Sequence, residues 1–185
     1  SVAELGQHTA VLSELKARHG AWFVTGNHEY YSGVEEWVDE VKRLGLTVLI
    51  DEHRVIEHDG HQIVVGGVAD YTAAGMVPAH KSDPHAAMRG APATAPLKLL
   101  LAHQPRSAFA AAAAGFHLQL SGHTHGGQFF PGNFLIHLVQ PFAAGLHVHQ
   151  GMHIYTNSGT GYWGPPLRTT RATSEVTRIT LTRAG

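Results

Sequence analysis

Three short stretches of this 185-residue chain carry side chains able to hold a cation or move a proton. Gly26-Asn27-His28-Glu29 offers an amide oxygen, an imidazole and a carboxylate. Ala102-His103-Gln104-Pro105 adds a second imidazole. Ser121-Gly122-His123-Thr124-His125-Gly126-Gly127 adds two more, at i and i+2. Its glycines let the backbone come close to a ligand. If that segment is extended, both rings face the same side. Neutral imidazole is the commonest protein metal ligand, and imidazoles with a carboxamide oxygen suit Zn, Mn, Fe or Co. Asn27, His103, His123 and His125 together supply three imidazoles and one carboxamide. One histidine after a strand is ordinary; an ordered set of three such stretches is much rarer by chance.

Composition narrows the classes. Sixteen histidines outnumber thirteen lysines plus arginines, and the formal net charge is -1. That balance lacks the basic footprint of a nucleic-acid binder. With no cysteine, disulfides and thiolate metal sites are excluded. Apolar content of 43% with 15% charged residues fits one ordinary globular domain. No run reaches the roughly 18 apolar residues of a membrane span. Glu4, Glu14, Lys16 and Arg18 give the opening segment an amphipathic array unlike a signal peptide.

The elements that must position these residues alternate. Val2, Leu5, Val11, Leu12 and Leu15 have near-helical spacing up to Gly20. Ala21–Val24 reads as a buried strand running into Asn27. Ser32, with Glu35 three residues on, is the expected N-cap of a helix over 33–44. A strand over 46–50 follows, then a hairpin over 55–65 turning at Asp59-Gly60. Residues 71–96 read as a surface excursion with a short helix at 84–89. Strands are expected at 97–102 and 117–120, with a helix over 106–114 between them. Residues 126–151 read as aromatic-rich loop, and 152–156 and 175–181 as strands. Alternating strands and helices predict an α/β sandwich, with ligands where strands hand over to loops.

At these motifs the chain resembles the calcineurin-like metallophosphoesterases. The Gly-Asn-His-Glu, Ala-His-Gln-Pro and Gly-His-Thr-His stretches carry the resemblance. The continuation Gly-Gly-Gln-Phe-Phe-Pro-Gly and the late Ser-Gly-Thr-Gly-Tyr-Trp-Gly-Pro-Pro-Leu-Arg (158–168) resemble a bacterial, membrane-associated branch. The resemblance implies a sandwich of two mixed β-sheets flanked by helices. It implies Asn27, His103 and His123 as ligands of one metal and His125 as ligand of the other. His28 would lie near the leaving group rather than on a metal. The implied cofactor is a pair of divalent ions (Mn, Fe, Zn or Co). The implied reaction is hydrolysis of a phosphoester by metal-bound hydroxide; a phosphodiester or a lipid-linked pyrophosphate is the substrate by analogy.

The family's Asp-x-His and Gly-Asp-x-x-Asp motifs do not precede Gly26. Asp51-Glu52-His53 has matching letters but follows the first motif, so it reads as a coincidence at a strand end. The visible ligands are all neutral, while two divalent ions bring four positive charges that need carboxylates. The expectation is therefore a single domain over 1–185 without its amino-terminal βαβ portion, weakly active or inactive alone, with apolar surface exposed. A membrane association through a preceding segment stays open, as do location and oligomeric state. The alternatives to a dimetal enzyme are a scaffold that keeps the fold and binds a partner, and a mononuclear His-rich metal-binding module using Asn27, His103 and His123.

Further residues have plain readings. Glu29 is expected to be solvated rather than to orient His28. Asp70 reads as a solvated loop residue rather than part of a cleft, and His117 as structural. Phe129, Phe130, Phe134, Phe142, Tyr162 and Trp163 are expected to pack on one another rather than to meet lipid. His147, His149 and His153 are the weakest metal candidates.

Overall fold

A computed structural model describes residues 1–162, 164, 168 and 173–182. Two β-sheets form. The smaller pairs β1 (Trp22–Phe23) with β2 (Thr47–Val48) in parallel. The larger has six strands: β3 (Glu52–His58), β4 (His61–Gly67), β5 (Leu97–Leu101), β6 (Leu118–Ser121), β7 (Gly145–His149) and β8 (Met152–Thr156). Their order is β3-β4-β5-β6-β8-β7. The four central strands run parallel, and each edge strand is antiparallel to its neighbour. Gly67 aligns with Leu101, Leu101 with Leu120, and Leu120 with Tyr155. The segments leaving β4, β5, β6 and β8 therefore emerge side by side along one edge.

Helices α1 (Val2–Thr9), α2 (Asn27–Tyr31), α3 (Val34–Arg43), α4 (Pro84–Met88), α5 (Ala108–Ala113) and α6 (Gly132–Val139) flank the sheets. One apolar cluster joins Val34, Val38 and Val41 of α3 to Val48 and Ala69. A second joins Val68, Leu100 and Ile154 to Ala108, Ala111 and Phe116. The two sheets touch at Gly67, where a Cβ would stand 2.4 Å from Leu49 Cβ and 2.7 Å from Val24 Cγ1. No side chain fits between them there. No helix among the described residues is long and apolar enough to cross a membrane.

Most expected elements are present, several shorter. The hairpin turns where expected, with Asp59 and Gly60 at φ 49° and 78°, the left-handed pair that a two-residue hairpin loop requires. Four readings need correction. Gly33, not Ser32, stands at the N-cap of α3; the Ser32 hydroxyl instead donates to the His28 carbonyl at 2.8 Å. Asn27–Tyr31 is helical because Glu29 caps its own first turn, accepting the Gly26 N–H at 2.6 Å. The stretch read as loop over 126–151 contains α6 and β7. Residues 175–181 are irregular despite their alternation, having no neighbouring strand to pair with among the described residues.

Candidate metal centre

Each of the three motifs begins where a strand ends. β1 delivers Asn27, β5 delivers His103 and β6 delivers His123. The three side chains meet. His103 Nε2 lies 3.0 Å from Asn27 Oδ1 and 3.2 Å from His123 Nδ1, with the two rings edge to face at 4.9 Å. Gly26 makes the approach feasible, since a Cβ there would come within 3.0 Å of the His103 ring.

The second histidine pair is not extended. His123 and His125 both take positive φ, 71° and 49°. Non-glycine residues in this region carry strain that tends to collect at functional sites. Thr124 between them is buried, its hydroxyl donating to the Ala143 carbonyl at 2.5 Å. A tight turn, rather than a flat strand, presents the two rings.

Burial disfavours the charged form of these imidazoles. Burial lowers the His103 pKa to about 4, with the His123 charge second among the causes. Burial likewise lowers His123, and burial followed by the charge of Arg168 lowers His125. Asp70 opposes the shifts on His103 and His123. Contrary to expectation, Asp70 is fully buried. It accepts from Thr72 N–H at 2.8 Å, Thr72 Oγ1 at 2.6 Å and Gln104 Nε2 at 3.1 Å. Glu29 is also partly enclosed, and burial raises its pKa; it serves as a cap rather than a solvated charge. His28 is exposed, its ring against Tyr31 at 5.6 Å, and its charge is felt at His103, His123 and His125.

The donor set fits a divalent cation. Asn27 Oδ1 and His123 Nδ1 each lie about 3 Å from His103 Nε2, a spacing compatible with one shared ion at bond lengths of about 2.0–2.2 Å. Among the described residues, no three His, Asp or Glu side chains converge on one point, so the cluster depends on the Asn27 amide.

The remaining candidates go elsewhere. His147 and His149 lie opposite the buried Ile154 and Met152 in register, whereas His153 lies opposite the exposed Val148. The three therefore share no face. His117 pairs with Lys98 at the start of β6, its backbone N–H donating at 2.8 Å, a structural role. Asp51 accepts the Asp83 N–H and the His53 ring meets the Ala87 carbonyl, so this stretch serves packing. Of the aromatics, Phe130 and Phe134 touch each other yet stay exposed, contrary to the expected self-packing. Trp163 and residues 165–167 of the late motif lie outside the described residues. Arg168, read only as part of that motif, meets His125. Asp70 and Arg168 were the residues missed; the end of a parallel strand pointed to the first, and nothing local to the second.

No family model matches the chain. It is 37% identical over 191 residues to a transmembrane protein with metallophosphoesterase domain from Danio rerio, covering 99% of this chain and 43% of that protein. It is 40% identical over 159 residues to an uncharacterized metallophosphoesterase of Helicobacter pylori, covering 85% and 41%. To the phosphodiesterase YaeI of Escherichia coli it is 32% identical, covering 82% and 55%. The sulfate thiohydrolase SoxB of Thermus thermophilus shares the fold at TM-score 0.57 and 17% identity, covering 84% of this chain and 31% of that one.

The chain thus belongs to the calcineurin-like metallophosphoesterases. It spans about two fifths of the Danio rerio and Helicobacter pylori relatives. Relatives at this level occur in vertebrates as well as bacteria, so the likeness singles out no bacterial branch.

Proposed function

We propose that the chain forms one half of the centre of a dimetal phosphoester hydrolase. The observation behind this reading is the meeting of Asn27 Oδ1, His103 Nε2 and His123 Nδ1 at one strand edge. Asn27, His103 and His123 would hold one ion and His125 the other. Divalent ions at such a centre activate water and neutralise developing charge on phosphorus-bound oxygens. Burial keeps His103 and His123 in the unprotonated form that binds cations. His28, exposed and adjacent in sequence to Asn27, would give a proton to the leaving oxygen. The carboxylates that balance the charge belong, in this reading, to the additional length seen in the relatives, completing one domain. The name of the Escherichia coli relative puts phosphodiesters first among substrates.

The test uses the full-length protein with Mn²⁺ and a chromogenic phosphodiester. His28→Ala should lower kcat by about 10²–10⁴-fold with metal content unchanged. His103→Ala should lose bound metal together with activity. A full-length protein that binds two metals and cleaves no phosphoester ends the proposal.

A further inference from the structure

The fourth segment at the strand edge, which leaves β8, carries none of the ligands assigned above. It is nevertheless tied down from both sides. On one side stands Glu175, whose carboxylate accepts the Ser158 N–H at 3.0 Å and whose own N–H donates to the Gly159 carbonyl at 2.9 Å. The Tyr155 hydroxyl also donates to that carboxylate. On the other side stands Arg168. Its guanidinium donates to the carbonyls of Ser158, Gly159 and Gly161, the last through Nε at 3.1 Å. The same guanidinium reaches across to His125, donating to its carbonyl at 3.3 Å.

These contacts converge on one imidazole. Arg168 donates to the Gly161 carbonyl through both Nε and Nη2, which brings that carbonyl to the side of the His125 ring where Nη2 stands. Gly159 passes directly beside the ring, with a Cβ position 4.0 Å from His125 Nδ1. Arg168 Nη2 stands 3.5 Å from the same nitrogen. A planar fork with five donors in fixed directions can bind several carbonyls at once, which a lysine ammonium cannot do in the same geometry. His125 itself sits at a strained φ of 49°, a conformation that persists only when its surroundings hold it.

We infer that Arg168 and Glu175 are positioning residues: together they clasp the 158–161 loop so that its Gly161 carbonyl fixes the ring of His125. A backbone carbonyl on one ring nitrogen sets the tautomer and leaves the other nitrogen free for a cation. Arg168 donates to the backbone carbonyls of His125, Ser158, Gly159 and Gly161, contacts that suit a residue acting through His125. The inference rests on His125 as a ligand for its purpose, but the clasp itself is a statement about the chain alone.

The experiment keeps the two apart. Full-length protein with ¹⁵N-labelled histidine is compared, metal-free, with Arg168→Lys and Arg168→Gln. In the parent, His125 should show one neutral tautomer with a slowly exchanging ring N–H. In both variants the ring should average between tautomers and exchange faster. Titration with Mn²⁺ alone should then show the weaker site losing affinity by about 10–100-fold in the variants, with the stronger site unchanged. Circular dichroism confirms folding, and Arg168→Lys keeps the charge in case the neutral variant fails to fold. An unchanged His125 ring signal in folded Arg168→Lys overturns the inference. If the parent binds no second Mn²⁺, the phosphoesterase reading falls, while the ring signals still decide the clasp.

Discussion

At the scale of single residues, the cluster is organised by groups that touch no proposed ligand position. Gln104 follows His103 directly, and its amide donates to both oxygens of the buried Asp70, at 3.1 and 3.2 Å. The Gln104 carbonyl in turn accepts from Gln140 at 3.2 Å. This chain of buried amides holds a negative charge within reach of His103 and His123. A buried carboxylate deprived of donors bears the full desolvation penalty. Gln104→Leu should therefore lower stability by about 1.5–3 kcal/mol. The measure is a fall in the urea midpoint at unchanged slope. An unshifted midpoint would mean that Thr72 alone satisfies Asp70.

At the scale of elements, Asp51 shows how a turn residue links two of them. It sits between β2 and β3 at φ 54°, and its carboxylate accepts the N–H of Asp83 at 2.8 Å, just ahead of α4. Burial raises its pKa, outweighing the backbone donors. The fold therefore holds this proton more tightly than the unfolded chain does. Its contribution is most favourable below the ordinary aspartate range and is lost as pH rises through the raised folded value. Asparagine tolerates the left-handed backbone and keeps the accepting oxygen without the charge. Asp51→Asn should match the parent in acid and exceed it at pH 7 in urea unfolding; a variant weaker at pH 7 refutes this. The same scale explains what the sequence disclosed. The β3–β4 hairpin was legible because its alternation and Asp59-Gly60 turn are local signals. The meeting of the three histidine-bearing motifs was legible because each follows a strand. Helix α6 was hidden, since glycine, proline and aromatics around it break the usual contrast between apolar and charged faces. Residues 175–181 misled because alternation reports a face to bury, not a partner strand. Arg168 and Asp70 act through contacts distant in sequence, which no local pattern encodes.

At the scale of the whole molecule, charge is distributed unevenly. No Asp, Glu, Lys or Arg occurs between Arg106 and Arg168, a third of the chain. Within this stretch α6 leaves Phe134, Leu135, Leu138 and Val139 exposed, Leu138 at 81%, with Phe130 beside them at 73%. Large contiguous apolar patches are uncommon on the surface of monomers. The formal net charge of -1 supplies little repulsion between copies. The 185-residue chain in isolation should thus self-associate reversibly at neutral pH. Because the contact is apolar, added salt should not weaken it, whereas an association held by ion pairs would be screened. Phe134→Ser combined with Leu138→Ser removes two exposed side chains that make little of the core, so the fold should survive and the monomer fraction should rise. Sedimentation velocity over a concentration series reads both effects. A parent chain that stays monomeric throughout, or an association dispersed by salt alone, would show that the uncharged face is not what drives it.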